Sequence, residues 1–252
     1  MLINSSKMYS SFFSENISPV TIAHKNFCFL CRIFFMIQLL FIATPCDTLL
    51  HMVKPVNTIN KLKKGEPVTI VALGDSLTYG WMVDTGYVDY FYDFLKIQYP
   101  GATITIFNKG VPGDTADGGL HRVGYDVIPY NPDCVLIQFA LNDCVYGYTP
   151  DIFGNYIRAI ISTIQQKIQC DIIIITSVWF GESPEAQNAY TFYYMLITIA
   201  NKYNLPIAMT HQYWEDAVKK GTPLHELVQF DGVHPTEEGY YIMSLALQEL
   251  FT

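Results

Sequence analysis

Two kinds of hydrophobic pattern alternate along the chain from residue 67 onward. The first is a short run of apolar and β-branched residues, which is typical of strands that are buried on both faces of a parallel sheet. Five such runs occur, and they predict strands at Val68–Leu73, Thr103–Asn108, Cys134–Ala140, Asp171–Val178 and Leu205–Thr210.

The second kind of segment has the length and the 3.6-residue apolar spacing of an amphipathic helix. Proline suits the start of a helix, and Pro235 directly precedes the last of these segments. Strands that alternate with helices indicate the α/β class, here a single three-layer α/β/α domain around a five-stranded parallel sheet. The spacing predicts helices at Tyr87–Tyr99, Ile152–Ile168, Ala186–Tyr203 and Thr236–Phe251.

The first 51 residues differ from the rest. The run from Phe27 to Ala43 is almost wholly apolar but contains Arg32, and as a helix of about 25 Å it falls slightly short of a ~30 Å bilayer core. Residues 33–43 fit the apolar part of a signal peptide, although the preceding region is long and the following "ATPC" is a poor cleavage site. A natural start at Met52 is a third interpretation. We therefore expect residues 1–51 to be a poorly ordered extension and residues 52–252 to be the functional domain.

Composition limits which binding partners and which cellular compartment are expected for this protein. A chain of 252 residues with 50% hydrophobic residues supports one domain with a large core. The 15 basic and 23 acidic residues give a net charge of -8, which argues against a nucleic-acid partner. Only Cys28 and Cys31 form a C-x-x-C pair, and no second pair completes a zinc set. This cysteine usage favours a cytoplasmic location, unless residues 27–43 anchor the chain to a membrane or direct its secretion.

Residues that could take part in binding or catalysis follow the predicted strands. The carboxyl ends of parallel strands meet at one edge of a sheet, where α/β proteins bind their ligands. The first strand runs into Asp75 and Ser76, the second is followed by "NKGVPGDT" with Gly110, and the third is followed by Asn142. Each of these residues alone is common in turns, but their joint placement at one edge favours a site.

A serine needs a base, and the sequence supplies a candidate. The stretch "DGVHP" places Asp231 three residues before His234, so the carboxylate can reach one imidazole nitrogen while the other nitrogen faces a substrate. His234 can then take the proton of the Ser76 hydroxyl, which is a poor nucleophile without a base.

The motifs "GDSLTYG", "NKGVPGDT" and "DGVHPTEEGY" resemble those of the SGNH hydrolases, also called the GDSL esterase/lipase family, over about residues 66–252. The resemblance implies the flavodoxin-like SGNH fold and a triad of Ser76, His234 and Asp231. It also implies an oxyanion hole formed by the backbone N–H groups of Ser76 and Gly110 and the side-chain amide of Asn142.

Two further positions bear on this resemblance. Asp75 is interpreted as a residue that orders the serine loop rather than as a second catalytic acid. Ala140 occupies a position where the family usually has glycine, in the pattern G-x-N-D. If that position requires a positive φ, alanine strains the backbone, whereas a glycine needed only for close packing tolerates one methyl group.

The predicted function is the hydrolysis of small or medium acyl esters through an acyl-enzyme intermediate, with a small-molecule ester as the partner. Lysophospholipids, thioesters and acetylated sugars all fall within this class. The alternative is a catalytically silent relative that binds carbohydrate or lipid.

An α/β-hydrolase elbow, G-x-S-x-G, and a dinucleotide motif are both absent from the sequence, and the remaining histidines lack metal-ligand spacing, so no cofactor or metal is expected. The sequence gives no oligomeric state and allows membrane contact only through residues 27–43.

Overall fold

The computed structural model describes residues 53–252. The extension predicted for residues 1–51 therefore lies outside the described residues, as do the apolar run at 27–43 and the Cys28–Cys31 pair. Within residues 53–252, no helix combines the length and the hydropathy of a membrane span.

Five parallel strands form one sheet with the order β2-β1-β3-β4-β5. The central residues of β1, β3 and β4 are fully buried, which is the physical basis of their continuous apolar runs, whereas β2, at the edge of the sheet, is buried only at Ile104. The predicted α/β class and five-stranded parallel sheet are confirmed. The strands are β1 (Val68–Gly74), β2 (Ile104–Gly110), β3 (Cys134–Gln138), β4 (Asp171–Ile175) and β5 (Ile207–Ala208).

Helices connect the strands and pack in two groups. One group consists of α3, α8 and α10, and the other of α4, α6 and α7, so the sheet lies between two helical layers. The helices are α1 (Val56–Lys63), α2 (Ser76–Tyr79), α3 (Tyr87–Gln98), α4 (Ala116–Asp126), α5 (Leu141–Val145), α6 (Pro150–Lys167), α7 (Pro184–Tyr203), α8 (Thr210–Lys219), α9 (Leu224–Leu227) and α10 (Glu237–Gln248), with 3-10 turns at Ile128–Tyr130 and Glu249–Phe251.

The segment before β1, for which the sequence pattern predicted no helix, forms helix α1. Thr58, Ile59 and Leu62 of this helix are buried. The Thr58 N–H and hydroxyl both donate to Asp171 Oδ2 at 2.7 Å, which ties α1 to the start of β4. Three apolar residues in a segment of only eight give too short a pattern to identify a helix, so the packing of α1 is visible only in three dimensions.

Further differences concern strand ends and helices that the apolar spacing did not predict. The strands predicted to run to Ala140, Val178 and Thr210 end earlier, at Gln138, Ile175 and Ala208, although Thr176 to Val178 remain buried. Helices α4 and α8 were not predicted. The residues that follow a buried strand are as apolar as the strand itself. The end of the strand is therefore set by hydrogen bonding, which composition does not show.

The chain order of the strands creates a switch point. The chain leaves β1 for β2 on one side and later returns to β3 on the other side of β1. Loops after β1 and β3 therefore run in opposite directions, which opens a crevice at the carboxyl ends of these two strands. Ser76 follows β1 and Asn142 follows β3, so both lie at this crevice.

Candidate active site

Ser76 lies at a sharp turn between β1 and α2, of which it is the first residue. Asp75 caps this helix, because its Oδ1 accepts the N–H of Leu77 at 2.9 Å. Gly74 allows the turn to close: a Cβ at this position would lie 2.0 Å from Thr78 Oγ1. The local sequence thus presents the serine hydroxyl at the edge of the sheet on a short, tightly packed turn.

The three predicted triad residues form one hydrogen-bonded chain. His234 Nε2 lies 2.9 Å from Ser76 Oγ, and His234 Nδ1 lies 2.6 Å from Asp231 Oδ2. Ser76 is 5% exposed and His234 is 8% exposed, so both reacting atoms are largely shielded from solvent. The imidazole bridges a hydroxyl and a carboxylate, which is the geometry needed to move a proton off the hydroxyl.

Asp231 is held in place by its own backbone turn. Its Oδ1 accepts the N–H groups of Val233 at 2.9 Å and His234 at 3.0 Å. Burial acts to raise the pKa of this carboxyl, but the hydrogen bonds from the His234 ring and from these two N–H groups outweigh burial and lower the pKa below its usual value of 3.8. Asp231 therefore faces the imidazole as a carboxylate.

Two side chains tie the serine segment to the histidine loop. The Tyr240 hydroxyl accepts the N–H of Trp81 at 3.1 Å, and Gln229 Nε2 donates to the carbonyls of Trp81 (2.8 Å) and Pro235 (2.7 Å). The Trp81 ring lies 5.9 Å from the His234 ring, centroid to centroid. Trp81 therefore forms a wall of the site beside the imidazole.

Asp75 is fully buried beneath the serine turn, as part of a polar network. Gln138 Nε2 donates to Asp75 Oδ2 at 3.3 Å and to Ser177 Oγ at 3.1 Å, while Gln138 Oε1 accepts the Thr78 hydroxyl at 2.9 Å. Burial raises the pKa of Asp75 to about 7. These contacts are those of a residue that orders the turn, as the sequence interpretation expects.

Asn142 lies in the first turn of α5 and is 3% exposed. Its Nδ2 donates to the backbone carbonyl of Asp114 at 2.8 Å, which links the loop after β3 to the loop after β2. The preceding Ala140 has φ 154° and ψ -42°, a conformation that favours glycine. Of the two interpretations of Ala140, the structure thus favours backbone strain.

The structure departs from the prediction for Gly110. This residue ends β2, and its N–H already donates to Asn108 Oδ1 at 2.9 Å. A Cβ on Gly110 would lie 2.1 Å from the backbone nitrogen of Tyr79, so close packing of β2 against α2 is the physical reason for glycine here. This geometry favours a packing role over the predicted oxyanion role.

A second glycine in the same loop, Gly113, was given no role by the sequence reasoning. Gly113 has φ +81° in a turn closed by the hydrogen bond from Asp114 N–H to the Val111 carbonyl at 3.1 Å. Proline followed by a glycine of positive φ is the pattern of a type II turn. The Pro112-Gly113 pair was the available signal, and this turn adjoins the carbonyl that holds Asn142.

Among the residues that the structure describes, no cluster of three or more histidine, cysteine or carboxylate side chains is arranged to hold a metal ion. Cys134, Cys144 and Cys170 are free thiols, and Cys134 is fully buried, as expected for a small hydrophobic residue. Ser76, His234 and Asp231 thus form a serine, imidazole and carboxylate arrangement at the crevice.

Comparison with known proteins identifies the family of this chain. The model of the GDSL-like lipase/acylhydrolase family matches residues 72–242, which include Ser76, Asn142, Asp231 and His234. The chain belongs to this family. The resemblance stated from the sequence motifs is therefore confirmed, and the chain is placed among the SGNH-type esterases.

Two curated proteins that are similar to this chain are named as esterases. An acetylxylan esterase of Geobacillus stearothermophilus is 24% identical over 210 residues, which cover 73% of this chain and 94% of the relative. An arylesterase of Vibrio mimicus is 29% identical over 100 residues. That match covers 39% of this chain and about half, 49%, of the arylesterase.

Solved structures share the fold. The crystal structure of Axe2, the acetylxylan esterase from Geobacillus stearothermophilus, superposes with a TM-score of 0.67 at 23% identity, covering 75% of this chain and 96% of that chain. LAE5, an α/β-hydrolase enzyme from the metagenome of Lake Arreo, gives a TM-score of 0.65 at 17% identity, with coverages of 73% and 94%. These likenesses confirm the SGNH fold.

Proposed function

We propose that the protein hydrolyses small or medium acyl esters through an acyl-enzyme formed on Ser76. The observation that carries the proposal is the placement of His234, with Nε2 2.9 Å from Ser76 Oγ and Nδ1 2.6 Å from Asp231 Oδ2. His234 takes the hydroxyl proton as Ser76 Oγ attacks the ester carbonyl, and it then protonates the leaving alcohol. In the second half of the reaction, His234 activates a water molecule that hydrolyses the acyl-enzyme, which releases the acid and restores Ser76.

Asp231 stabilises the imidazolium that forms in both halves of the reaction. Because the pKa of its carboxyl is held low, it keeps its negative charge while the histidine gains a proton. Its hydrogen bond to Nδ1 also fixes the tautomer in which Nε2 accepts a proton from Ser76.

The tetrahedral intermediate carries an oxyanion that needs hydrogen-bond donors. Three groups are proposed as donors: the N–H of Ser76, the amide of Asn142, and an N–H from the loop after β2. For the loop we propose Gly113 in place of Gly110. The Gly110 N–H is directed to Asn108, whereas the turn of Gly113 adjoins the Asp114 carbonyl that holds the Asn142 amide.

Acetyl esters of carbohydrates and aryl esters are the substrates to try first, because the named relatives are an acetylxylan esterase and an arylesterase. The alternative of a catalytically silent binding relative does not explain why all three triad side chains are in hydrogen-bond contact.

Localisation in the cytoplasm remains a proposal that rests on the cysteine usage alone.

Replacement of Ser76 by alanine tests the mechanism. Hydrolysis of p-nitrophenyl acetate, phenyl acetate and acetylated xylo-oligosaccharide is expected to fall to the buffer rate, while circular dichroism and the melting temperature stay near those of the unchanged protein. Asp231→Asn is expected to reduce kcat by up to ~10⁴-fold, because the amide fixes the wrong histidine tautomer.

A serine-directed fluorophosphonate provides an independent readout. It is expected to label Ser76 and to lose that labelling in His234→Ala, where the hydroxyl has no base. Retained hydrolysis in Ser76→Ala, or labelling at another residue, contradicts the mechanism. An inactive unchanged protein that is not labelled supports the silent binding relative.

A further inference from the structure

Arg122 lies beneath the loops of the candidate active site, on the second turn of α4, and its side chain is 15% exposed. All three guanidinium nitrogens donate hydrogen bonds. Nη2 donates to the Gly74 carbonyl at 2.8 Å, Nη1 to the Lys109 carbonyl at 2.8 Å, and Nε to Asp114 Oδ2 at 2.7 Å. An outer contact joins Nη1 to Asp126 Oδ2 at 3.1 Å.

The two carbonyl acceptors stand at the ends of neighbouring strands. Gly74 ends β1 two residues before Ser76, and Lys109 comes one residue before Gly110, the end of β2. Gly74 and Gly110 are register partners. The Gly74 carbonyl also accepts the N–H of Val111 at 3.0 Å. The guanidinium therefore fixes the serine turn relative to the loop after β2.

The third acceptor extends the connection to β3. Asp114 receives the Arg122 Nε on its side chain, and its backbone carbonyl accepts Asn142 Nδ2 at 2.8 Å. Asp114 Oδ1 accepts the N–H of Thr115 at 2.9 Å, which holds the carboxylate in one orientation. The Arg122 side chain thus contacts two of the three segments from which the oxyanion donors are proposed to come, and it is connected to the third, after β3, through Asp114.

The planar fork of arginine is required for this arrangement. Its donors point in fixed, diverging directions, whereas a lysine ammonium is a compact point charge that cannot span three separated acceptors. Two carboxylates, Asp114 and Asp126, balance the charges of Arg122 and Lys109 in this cluster. A lysine at this position would retain the charge balance and lose the geometry.

We propose that Arg122 is a positioning residue that sets the relative placement of the oxyanion donors. This inference rests on the proposed ester hydrolysis. Arg122 itself touches no substrate atom in the proposal; it acts through the Gly74 and Lys109 carbonyls and through Asp114. A misplaced donor stabilises the tetrahedral intermediate poorly while leaving substrate binding intact, because the donors matter most when negative charge develops.

Arg122→Lys tests the inference against a purely structural role. We expect kcat for p-nitrophenyl acetate to fall about 10²-fold with KM changed less than threefold, since an error of about 1 Å in the position of a catalytic group costs about this much. Affinity for a boronic acid, which mimics the tetrahedral intermediate, is expected to fall in parallel with kcat. Assays are run well below the melting temperature of each variant, so that loss of stability alone does not lower kcat.

Two control variants separate fork geometry from charge and from general stability. Arg158→Lys changes the other arginine of the described residues, on α6, where it donates to Asn155 Oδ1 at 2.8 Å. It is expected to leave kcat unchanged. Asp126→Asn removes only the charge of the outer partner of Arg122 and is expected to reduce kcat less than threefold.

If Arg122→Lys does not fold, Asp114→Asn replaces it in the same assay. The single amide oxygen cannot serve both Thr115 and Arg122, so the same selective loss of kcat is expected on a smaller scale. Wild-type kcat in a folded Arg122→Lys or Asp114→Asn, or an equal loss in Arg158→Lys, overturns the inference. An unchanged protein without hydrolysis overturns the proposed function instead, so the two failures are distinguishable.

Discussion

At the scale of single residues, Ala140 combines a buried side chain with a backbone conformation that glycine adopts more readily. Its φ of 154° lies in the range that L side chains rarely adopt, at the junction between β3 and α5. Such conformations cost about 1–3 kcal/mol and persist where the surroundings enforce them. The alanine thus stores strain two residues before Asn142.

Replacement of Ala140 by glycine should relieve this strain. The relief of about 1–3 kcal/mol is offset by the greater chain entropy of glycine, about 0.5–1 kcal/mol, and by the loss of one buried methyl group, about 0.8 kcal/mol. These contributions sum to a change of about -0.8 to +1.7 kcal/mol, so we expect urea unfolding to give a free energy of unfolding that is on balance unchanged or modestly higher than that of the unchanged protein.

Ala159→Gly is the matched control, because Ala159 lies inside α6 with ordinary helical geometry. This substitution should lower the free energy of unfolding by about 1 kcal/mol. Equal destabilisation by Ala140→Gly and Ala159→Gly would contradict the strain at position 140.

At the scale of elements, helix α1 is integral to the domain. Ile59 and Leu62 are buried, and Thr58 donates two hydrogen bonds to Asp171 at the start of β4. The side chain of Lys61 pairs with Asp133 Oδ1 at 2.6 Å, next to the start of β3. The domain boundary therefore has to lie before Val56.

A chain that begins at Met52 is expected to fold and to hydrolyse esters like the full chain. A chain that begins at Glu66 lacks α1, and the loss of two buried aliphatic side chains at about 1.5–3 kcal/mol each removes much of a typical stability of 5–15 kcal/mol. Urea unfolding of both chains measures the difference. Aggregation of the Met52 chain under conditions where the full chain is soluble would place the boundary earlier.

The sequence predicted the elements with long, regular patterns and missed those defined by contacts. Strands β1 and β3 lie in the centre of the sheet, so their apolar runs are continuous and easy to recognise. Helix α8 was missed, and only its first residue, Thr210, was assigned to the predicted strand that ends in the structure at Ala208.

The triad was predictable because its chemistry needs particular side chains in a recognisable motif. The oxyanion loop was less so, since Gly110 and Gly113 look alike in sequence. They are separated only by the structure, in which the Gly110 N–H donates to Asn108 and Gly113 has a positive φ. Arg122 carried no sequence signal because two of its three inner partners are backbone carbonyls, which every residue has.

At the scale of the whole molecule, two buried carboxyls make stability depend on pH. Burial raises the pKa of both Asp75 and Asp143 to about 7 from an ordinary value of 3.8. Asp143 Oδ1 accepts the N–H of Ala116 at 3.0 Å, and Oδ2 has no partner among the residues that the structure describes. The unfolded state releases these protons near its ordinary pKa of 3.8, whereas the folded state keeps them until the pH passes through about 7, so stability falls as the pH rises from about 4 through 7.

His211 acts in the opposite direction at lower pH. Burial lowers its pKa to about 4, so the stability that it contributes is lost as the pH falls from 6.5 toward 4. Measurements between pH 6.5 and 8.5 therefore report mainly on the carboxyls, because most of the His211 effect lies below pH 6.5. The melting temperature is expected to be lower at pH 8.5 than at pH 6.5, and Asp143→Asn is expected to reduce this difference.

Asp93→Asn, which changes an exposed carboxyl on α3, is the control for the loss of one charge. It is expected to keep the full difference between the two melting temperatures. A difference of the same size in Asp143→Asn would show that Asp143 does not hold a proton in the folded state at pH 6.5.

The hydrogen bond between Ser76 and His234 joins residues that are 158 positions apart in the chain. A contact of such long range forms only after the intervening strands and helices have been ordered, because the entropy of closing a loop is paid before the contact is made. Catalytic turnover is therefore a probe of complete native topology. During refolding it should return no earlier than the last element between β1 and α10, and a proteolytic cut in any intervening loop should abolish it unless the two pieces stay together.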